Sequence, residues 1–254
     1  MSSVVAHSLG SYMHRIFLRK SSLSDNPVII EDEKAHYLSS VLRCKTGDSL
    51  IVTDENGSSY TANVLGASKK QVTIRVTGDY NMSTESGLDI ILAQGLLKGE
   101  KMDFVIQKTT ELGVNAIIPV ITERSQLRET RKHARWKKIA EEASRQSGRT
   151  RIPEISEHYS FMDIFHIPGL ISGKGIIFWE EGGEKLSTVT GNLQGADKIF
   201  LFIGPEGGFS EQEVLIAAEK GFAVATLGSR TLRAETASIT AVSVIQFALG
   251  DLGS

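Results

Sequence analysis

Short β-branched runs separated by turn sequences fill the first third of the chain. The turns are rich in Gly, Asp and Asn, residues that favour tight reversals, and lie near 45–48 and 55–57. Runs of this length between turns are typical of β-strands. They are predicted at 28–30, 49–54, 60–66 and 71–76, with a short helix at 36–43. Several short strands joined tightly indicate a small β-barrel.

From residue 88 onwards the hydrophobic pattern changes. Continuous apolar runs, typical of strands buried on both faces, alternate with segments of helical periodicity. Ser210 and Glu213 form a capping-box sequence at the start of one such segment. Strands are predicted at 88–94, 116–121, 175–180, 198–204 and 223–228, and helices at 102–112, 136–145, 210–221 and 235–249. This alternation predicts an α/β domain with a mostly parallel sheet.

The chain therefore divides into three parts. Residues 1–12 precede the patterned sequence and are predicted to be a disordered extension. The β-rich domain is assigned to 13–80, and the α/β domain to 81–254, with a polar linker around their junction.

Composition narrows the classes of function. No apolar run reaches the roughly 18–20 residues that span a bilayer, and the N-terminus does not resemble a secretory signal. We therefore expect a cytoplasmic protein without a membrane partner. A single cysteine, Cys44, and histidines without metal-ligand spacing predict no metal site. The net charge of the chain is −2, yet the segment 124–151 contains ten basic residues and only three acidic ones. Such a basic segment is compatible with contact to a nucleic acid.

Three loops after predicted strands are rich in polar and glycine residues. In a parallel sheet, ligands bind at the carboxyl ends of the strands. Residues 203–210 combine three glycines with Glu206, and residues 227–237 carry Arg230 and Arg233 into a helix. The third loop, 122–125, begins the basic segment. Each loop alone also fits an ordinary strand-to-helix connection or a solvated charged surface.

Taken together, the motifs resemble the bacterial RsmE family, rRNA uridine-N3 methyltransferases of the SPOUT superfamily. The resemblance spans about 13–249 and is carried by HRIFL, HYLSSVLRCKTGD, KGEKMDFVIQKTTELGVNAIIPVITERS, EEASRQSGR, FIGPEGGFS and LGSRTLRAETA. It implies an N-terminal PUA-like β-barrel for RNA binding, and a C-terminal SPOUT domain with a deep trefoil knot. It further implies a homodimer, S-adenosylmethionine as cofactor, and 16S rRNA of the small ribosomal subunit as substrate. The expected product is 3-methyluridine at U1498.

The resemblance also assigns roles to residues. The expected cofactor-binding residues are Gly204, Glu206, Gly207, Leu227, Gly228 and Leu232. Arg233 is expected to stabilise the anionic uracil, and Glu206 is a candidate base that could equally be structural. The expected RNA contacts are Arg15, Arg19, Arg124, Arg145 and Arg149. Uracil N3 lies on the pairing edge, so the target nucleotide must be unpaired or extruded.

Three other functions remain as alternatives. A SPOUT methyltransferase acting on another RNA, or on a ribose, would share the cofactor loops. A non-catalytic ribosome-assembly factor would not need the glycine loops or Arg233. A nucleotide-binding α/β enzyme is disfavoured because neither common phosphate-loop pattern occurs.

Overall fold

A computed structural model describes residues 13–167 and 174–253. The chain divides into two compact units, the first ending at Thr84 and the second beginning at Glu85. The predicted extension, 1–12, lies outside the described residues.

The first unit is a curled five-stranded sheet. Its strands are β1 (His14–Phe17), β2 (Val28–Glu31), β3 (Ser49–Thr53), β4 (Ser59–Ala67) and β5 (Gln71–Asp79), in the order β1-β3-β4-β5-β2. All pairs are antiparallel except β1 with β3. One face is buried, which explains the alternation of apolar and polar positions in the sequence. Helix α1 (Asp32–His36) continues into a π turn at Tyr37–Val41 and so begins earlier than the predicted helix.

The second unit is a parallel sheet flanked by helices. Its strands are β6 (Asp89–Gly95), β7 (Ala116–Ile121), β8 (Glu154–Ile155), β9 (Tyr159–Ser160), β10 (Lys174–Phe178), β11 (Glu184–Lys185), β12 (Lys198–Ile203) and β13 (Ala223–Thr226). The order is β11-β13-β10-β12-β6-β7-β8, with β9 also paired to β7. Its helices are α2 (Lys101–Glu111), α3 (His133–Ser147), α4 (Leu186–Asn192), α5 (Glu211–Glu219) and α6 (Ala234–Leu249).

Both faces of this sheet are covered, which accounts for the continuous apolar runs. Along β12, Ile199 and Leu201 join the core that contains residues of α2, α3 and α6. Phe200 and Phe202, which alternate with them, join a second core. In that core Phe202 stacks on Phe165, with ring centroids 5.7 Å apart. Because burial on both faces fixes these strands, the loops at their carboxyl ends start from defined positions.

Candidate active site

A cavity of about 260 Å³ opens at the carboxyl ends of three adjacent strands, β13, β10 and β12. Three loops line it, one after each strand, together with the first residue of α2. The lining residues are Lys101, Phe178, Trp179, Glu180, Ile203, Gly204, Pro205, Glu206, Gly208, Thr226, Leu227, Gly228, Arg230, Thr231, Leu232, Arg233, Ala234, Glu235 and Ala237. This is where a parallel sheet is expected to place its ligand.

The loop after β12 depends on close backbone packing. A Cβ on Gly95, at the end of β6, would lie only 2.4 Å from the Pro205 nitrogen, so the neighbouring strand can approach the loop only without a side chain. Gly208 has φ +70°, and a Cβ there would meet the Glu180 carboxylate at 2.0 Å. The loop ends in the predicted capping box of Ser210 and Glu213. Close packing at Gly95 and Gly208 and the capping box therefore restrict the loop at the cavity wall.

Glu206 is anchored by positive and polar groups from the start of α2. Its Oε1 accepts hydrogen bonds from Lys101 Nζ at 3.0 Å and from the Lys98 amide at 3.2 Å. Burial raises the pKa of Glu206, but the Lys101 hydrogen bond, backbone amides and the Lys101 charge outweigh it, and the net pKa is lowered. The carboxylate is therefore ionised at neutral pH and is a weak proton acceptor.

Three buried polar atoms of the cavity lining have no hydrogen-bond partner within the described residues. They are Trp179 Nε1, Glu206 Oε2 and Glu235 Oε2. Such groups are costly when left unpaired, and in native proteins they usually mark a place where a ligand or water completes the bonding. One donor and two acceptors fit a polar ligand that itself carries both donors and acceptors.

Arg233 occupies the N-cap position of α6, and its side chain is exposed at the cavity. Its backbone carbonyl accepts the hydrogen bond of the Ala237 amide, so the helix start fixes the position of the main chain. Glu235 in the first turn complements the helix dipole. Arg233 forms no ion pair within 13–167 and 174–253, so its guanidinium can approach a bound anion without breaking one.

The cavity brings together most of the residues predicted for the site. Gly204, Glu206, Leu227, Gly228, Leu232 and Arg233 line it, whereas Gly207 does not. The sequence did not predict the contribution of Lys101, of Phe178 at the end of β10, or of the following loop with Trp179 and Glu180. The sequence does contain a pattern that could have predicted that loop, because the acidic and glycine-rich WEEGG follows a buried strand just as GPEGG follows β12.

The predicted RNA-contacting arginines fall into two groups. Arg15, Arg145 and Arg149 are engaged within the protein, and Arg149 is only 3% exposed. Its guanidinium pairs with Glu85 at 2.6 Å and donates to the carbonyls of Thr110 and Val114. These contacts favour a structural role for Arg149. Arg19 and Arg124 are exposed.

In residues 13–167 and 174–253, no group of three or more His, Cys, Asp or Glu side chains is placed to hold a metal ion. Within the same ranges, no helix has the length and apolar character needed to cross a membrane.

Comparison with known proteins identifies the family. The family described as RNA methyltransferase domain matches residues 84–246, and the RNA methyltransferase PUA domain matches 30–77. Ribosomal RNA small subunit methyltransferase E of Bacillus subtilis is 32% identical, covering 92% of this chain and 96% of its own.

Two solved structures agree with that match. A ribosomal RNA small subunit methyltransferase E from Neisseria gonorrhoeae bound to S-adenosylmethionine is 32% identical, with a TM-score of 0.87, covering 95% of this chain and all of its own. A putative methyltransferase from Legionella pneumophila with bound S-adenosylmethionine is 33% identical, with a TM-score of 0.85 and the same coverage. The expected fold class, a PUA-like domain followed by a SPOUT domain, is confirmed. The chain belongs to the ribosomal RNA small subunit methyltransferase E family.

Proposed function

We propose that the protein uses S-adenosylmethionine to methylate N3 of a uridine in 16S rRNA of the small ribosomal subunit, with U1498 as the target. The observation that carries the proposal is the cavity, where an exposed guanidinium, Arg233, stands beside three unpaired buried polar atoms. Family membership names the class of reaction, and this geometry suggests how the chain would carry it out. The proposed place of action is the cytoplasm, where small subunits are assembled.

The unpaired polar atoms fit the cofactor. S-adenosylmethionine carries an ammonium, a carboxylate, ribose hydroxyls and an adenine amine, and when bound it supplies a methyl group activated on a sulfonium. Glu206 Oε2 and Glu235 Oε2 can accept from its donors, and Trp179 Nε1 can donate to an acceptor. The backbone around Gly204, Leu227 and Leu232 would hold the rest of the molecule.

The chain's own residues must also make uracil N3 reactive. The N3 proton is mostly retained at neutral pH, so its loss has to be made easier by a base or by a positive charge near the uracil oxygens. Glu206 has a lowered pKa and is paired with Lys101, which makes it a poor base. We therefore assign Glu206 to cofactor positioning and Arg233 to stabilisation of the uracil anion.

Replacing Glu206 by Gln tests this division. The variant keeps the shape of the side chain but loses the charge, so we expect S-adenosylmethionine affinity to fall about ten-fold and kcat to change less. In the wild type, the ionised form is retained as pH falls through the usual carboxyl range, and affinity should fall only below the lowered pKa. In the Glu206→Gln variant, this fall of S-adenosylmethionine affinity at low pH should be absent. Calorimetry across pH measures both quantities.

Glu219→Gln is the matched control, because Glu219 is exposed at the end of α5 and does not line the cavity. It should behave like the wild type. A loss of kcat above 100-fold in Glu206→Gln, with unchanged cofactor affinity, would instead make Glu206 the base.

We also propose a homodimer. Three large apolar side chains are exposed on the last turns of α6 and just after it, Val244, Phe247 and Leu252, and Phe247 is 69% exposed. Val244 and Phe247 are three positions apart and so share one face of the helix. Exposed apolar faces of this kind mark association surfaces. Sedimentation equilibrium measures the state directly, and a monomer at micromolar concentration would refute the proposal.

The function itself is tested in cells. Nucleoside mass spectrometry of small-subunit rRNA should show 3-methyluridine lost when the gene is deleted and regained when it is restored. Unchanged 3-methyluridine would remove the uridine-N3 assignment and leave another RNA as the target. With purified protein, isolated small subunits should be methylated faster than naked 16S rRNA, and equal rates would show that assembly is not recognised.

A further inference from the structure

The basic segment between 124 and 151 contains two kinds of cation. Toward its C-terminal end, three of the four arginines are neutralised by carboxylates, and Arg151 is the exception within the described residues. Arg135 pairs with Asp103 at 2.7 Å, Arg145 with Glu141 and Glu142, and Arg149 with Glu85. The field of each of these cations is largely cancelled by its partner at short range.

The cations at the N-terminal end are bonded differently. Arg124 donates to the Gly207 carbonyl at 3.3 Å, and Lys132 donates to the Gly99 carbonyl at 2.7 Å. Arg128 donates to the carbonyls of the 122–123 turn, both at 3.0 Å. A hydrogen bond to a neutral carbonyl satisfies the donor of a cationic side chain but does not neutralise its positive charge. Arg131 is exposed and has no hydrogen bond or ion pair within the described residues.

These four residues, Arg124, Arg128, Arg131 and Lys132, form what we call the basic ledge. All four are exposed. Two carboxylates, Glu123 and Glu129, neighbour ledge residues in the sequence and are also exposed, so the segment 123–132 keeps a net positive charge. Neither carboxylate forms an ion pair with a ledge residue within the described chain.

The ledge is fastened to the cavity loops. A Cβ on Gly207 would lie 3.1 Å from Arg124 Cβ, so Arg124 packs directly on the loop that carries Glu206. The Glu123 amide donates to Glu213 Oε1 at 2.8 Å, which ties the ledge to the capping box after that loop. At the other end of the ledge, the Lys132 ammonium donates a hydrogen bond to the carbonyl of Gly99, two residues before the cavity-lining Lys101. The backbone of the ledge and its two end residues, Arg124 and Lys132, are therefore held beside the cavity loops.

We propose that the basic ledge binds backbone phosphates of the substrate RNA next to the target nucleotide, an inference that rests on the proposed function. Contacts to phosphates set the position of a nucleic acid without reading its sequence. An enzyme that acts on an extruded base must hold the flanking backbone while the base enters the site. Uncompensated cations on a segment that is anchored beside the cavity meet that need, and the carboxylate-paired arginines farther along the segment do not.

The double variant Arg128→Gln/Arg131→Gln tests the ledge. With small subunits from cells lacking the gene as substrate, KM for the subunit should rise about ten-fold. The slope of log affinity against log salt concentration should become shallower by about 1.4, since each phosphate contact on a single strand contributes about 0.7. S-adenosylmethionine affinity should be unchanged. The matched control is Arg151→Gln/Lys220→Gln, which removes the same charge from exposed sites off the ledge and should stay within about two-fold of the wild type.

Arg131→Gln alone breaks no hydrogen bond among the described residues. It therefore tests the loss of charge without a change in folding, and it should raise KM about three-fold. The proposal is overturned if both ledge variants match the control in KM and salt slope. It is also overturned if affinity for naked 16S rRNA is unaffected while binding to intact subunits is lost, since the ledge would then contact a ribosomal protein. If the wild-type protein binds neither S-adenosylmethionine nor rRNA, it is the proposed function that fails.

Discussion

Replacing Arg233 by Ala is expected to lower kcat for methyl transfer by about 10²–10³-fold, the usual loss when a preorganised donor to a developing anion is removed. S-adenosylmethionine affinity should change by less than about three-fold. The reason lies in the geometry: the Arg233 side chain is exposed at the cavity rim and makes no cap hydrogen bond, so its removal leaves the start of α6 intact. Single-turnover methylation and calorimetry measure the two effects separately.

Two variants sharpen the test. Arg230→Ala removes another exposed guanidinium from the same loop and should cost much less if the position of Arg233 matters rather than the total charge. Arg233→Lys keeps the charge but loses the planar fork and should recover only part of the rate. Equal losses of rate and cofactor affinity in Arg233→Ala would place Arg233 among the cofactor-binding residues.

The sequence was sufficient to predict most of the α/β architecture because burial leaves a direct pattern. β12 is apolar throughout, since its residues alternate between two covered faces, and α5 begins at a capping box that can be read from Ser210 and Glu213. The two-residue strands β8, β9 and β11 were not predicted, because two residues carry no periodicity. The hydrophobic pattern also does not indicate whether the chain passes through one of its own loops. The expectation of a knot therefore rests on the family resemblance alone.

The candidate site was only partly predictable, for a related reason. Strand ends followed by glycines and charges can be found in one sequence, and two of the three cavity loops were found in this way. Pairings between distant residues leave no local pattern. Lys101 and Glu206 are 105 positions apart, and nothing near either residue predicts the salt bridge between them. The basic segment shows the same limit, since its composition could not separate the paired Arg145 from the exposed Arg124.

Arg149→Ala is expected to destabilise the second unit by about 3–5 kcal/mol, the usual cost of leaving one member of a buried ion pair without its partner. Arg149 is 3% exposed, and the side chain of its partner Glu85 is 11% exposed. Glu85 also accepts from the backbone amides of Thr150 and Arg151, so the pair joins the start of the unit to the end of α3. Urea denaturation of the full chain measures the change in the free energy of unfolding.

The same pair should make the unit sensitive to acid. Burial raises the pKa of Glu85, but the hydrogen bond and charge of Arg149 and the two amides outweigh it and lower the pKa overall. A lowered pKa in the folded state means that the stabilisation is complete above the ordinary carboxyl pKa and is lost as pH falls through the lowered one. Arg149→Ala should remove most of this pH dependence.

Arg151→Ala is the control, because the Arg151 side chain is exposed and the variant keeps the hydrogen bond that the backbone amide of residue 151 donates to the Glu85 carboxylate. It should change stability by less than about 0.5 kcal/mol, as surface substitutions usually do. The double variant Glu85→Gln/Arg149→Met should cost less than the sum of its single changes, since it leaves no buried charge unpaired. If Arg149→Ala instead kept full stability and lost only RNA affinity, Arg149 would contact RNA, and the buried pair would have to open for it to do so.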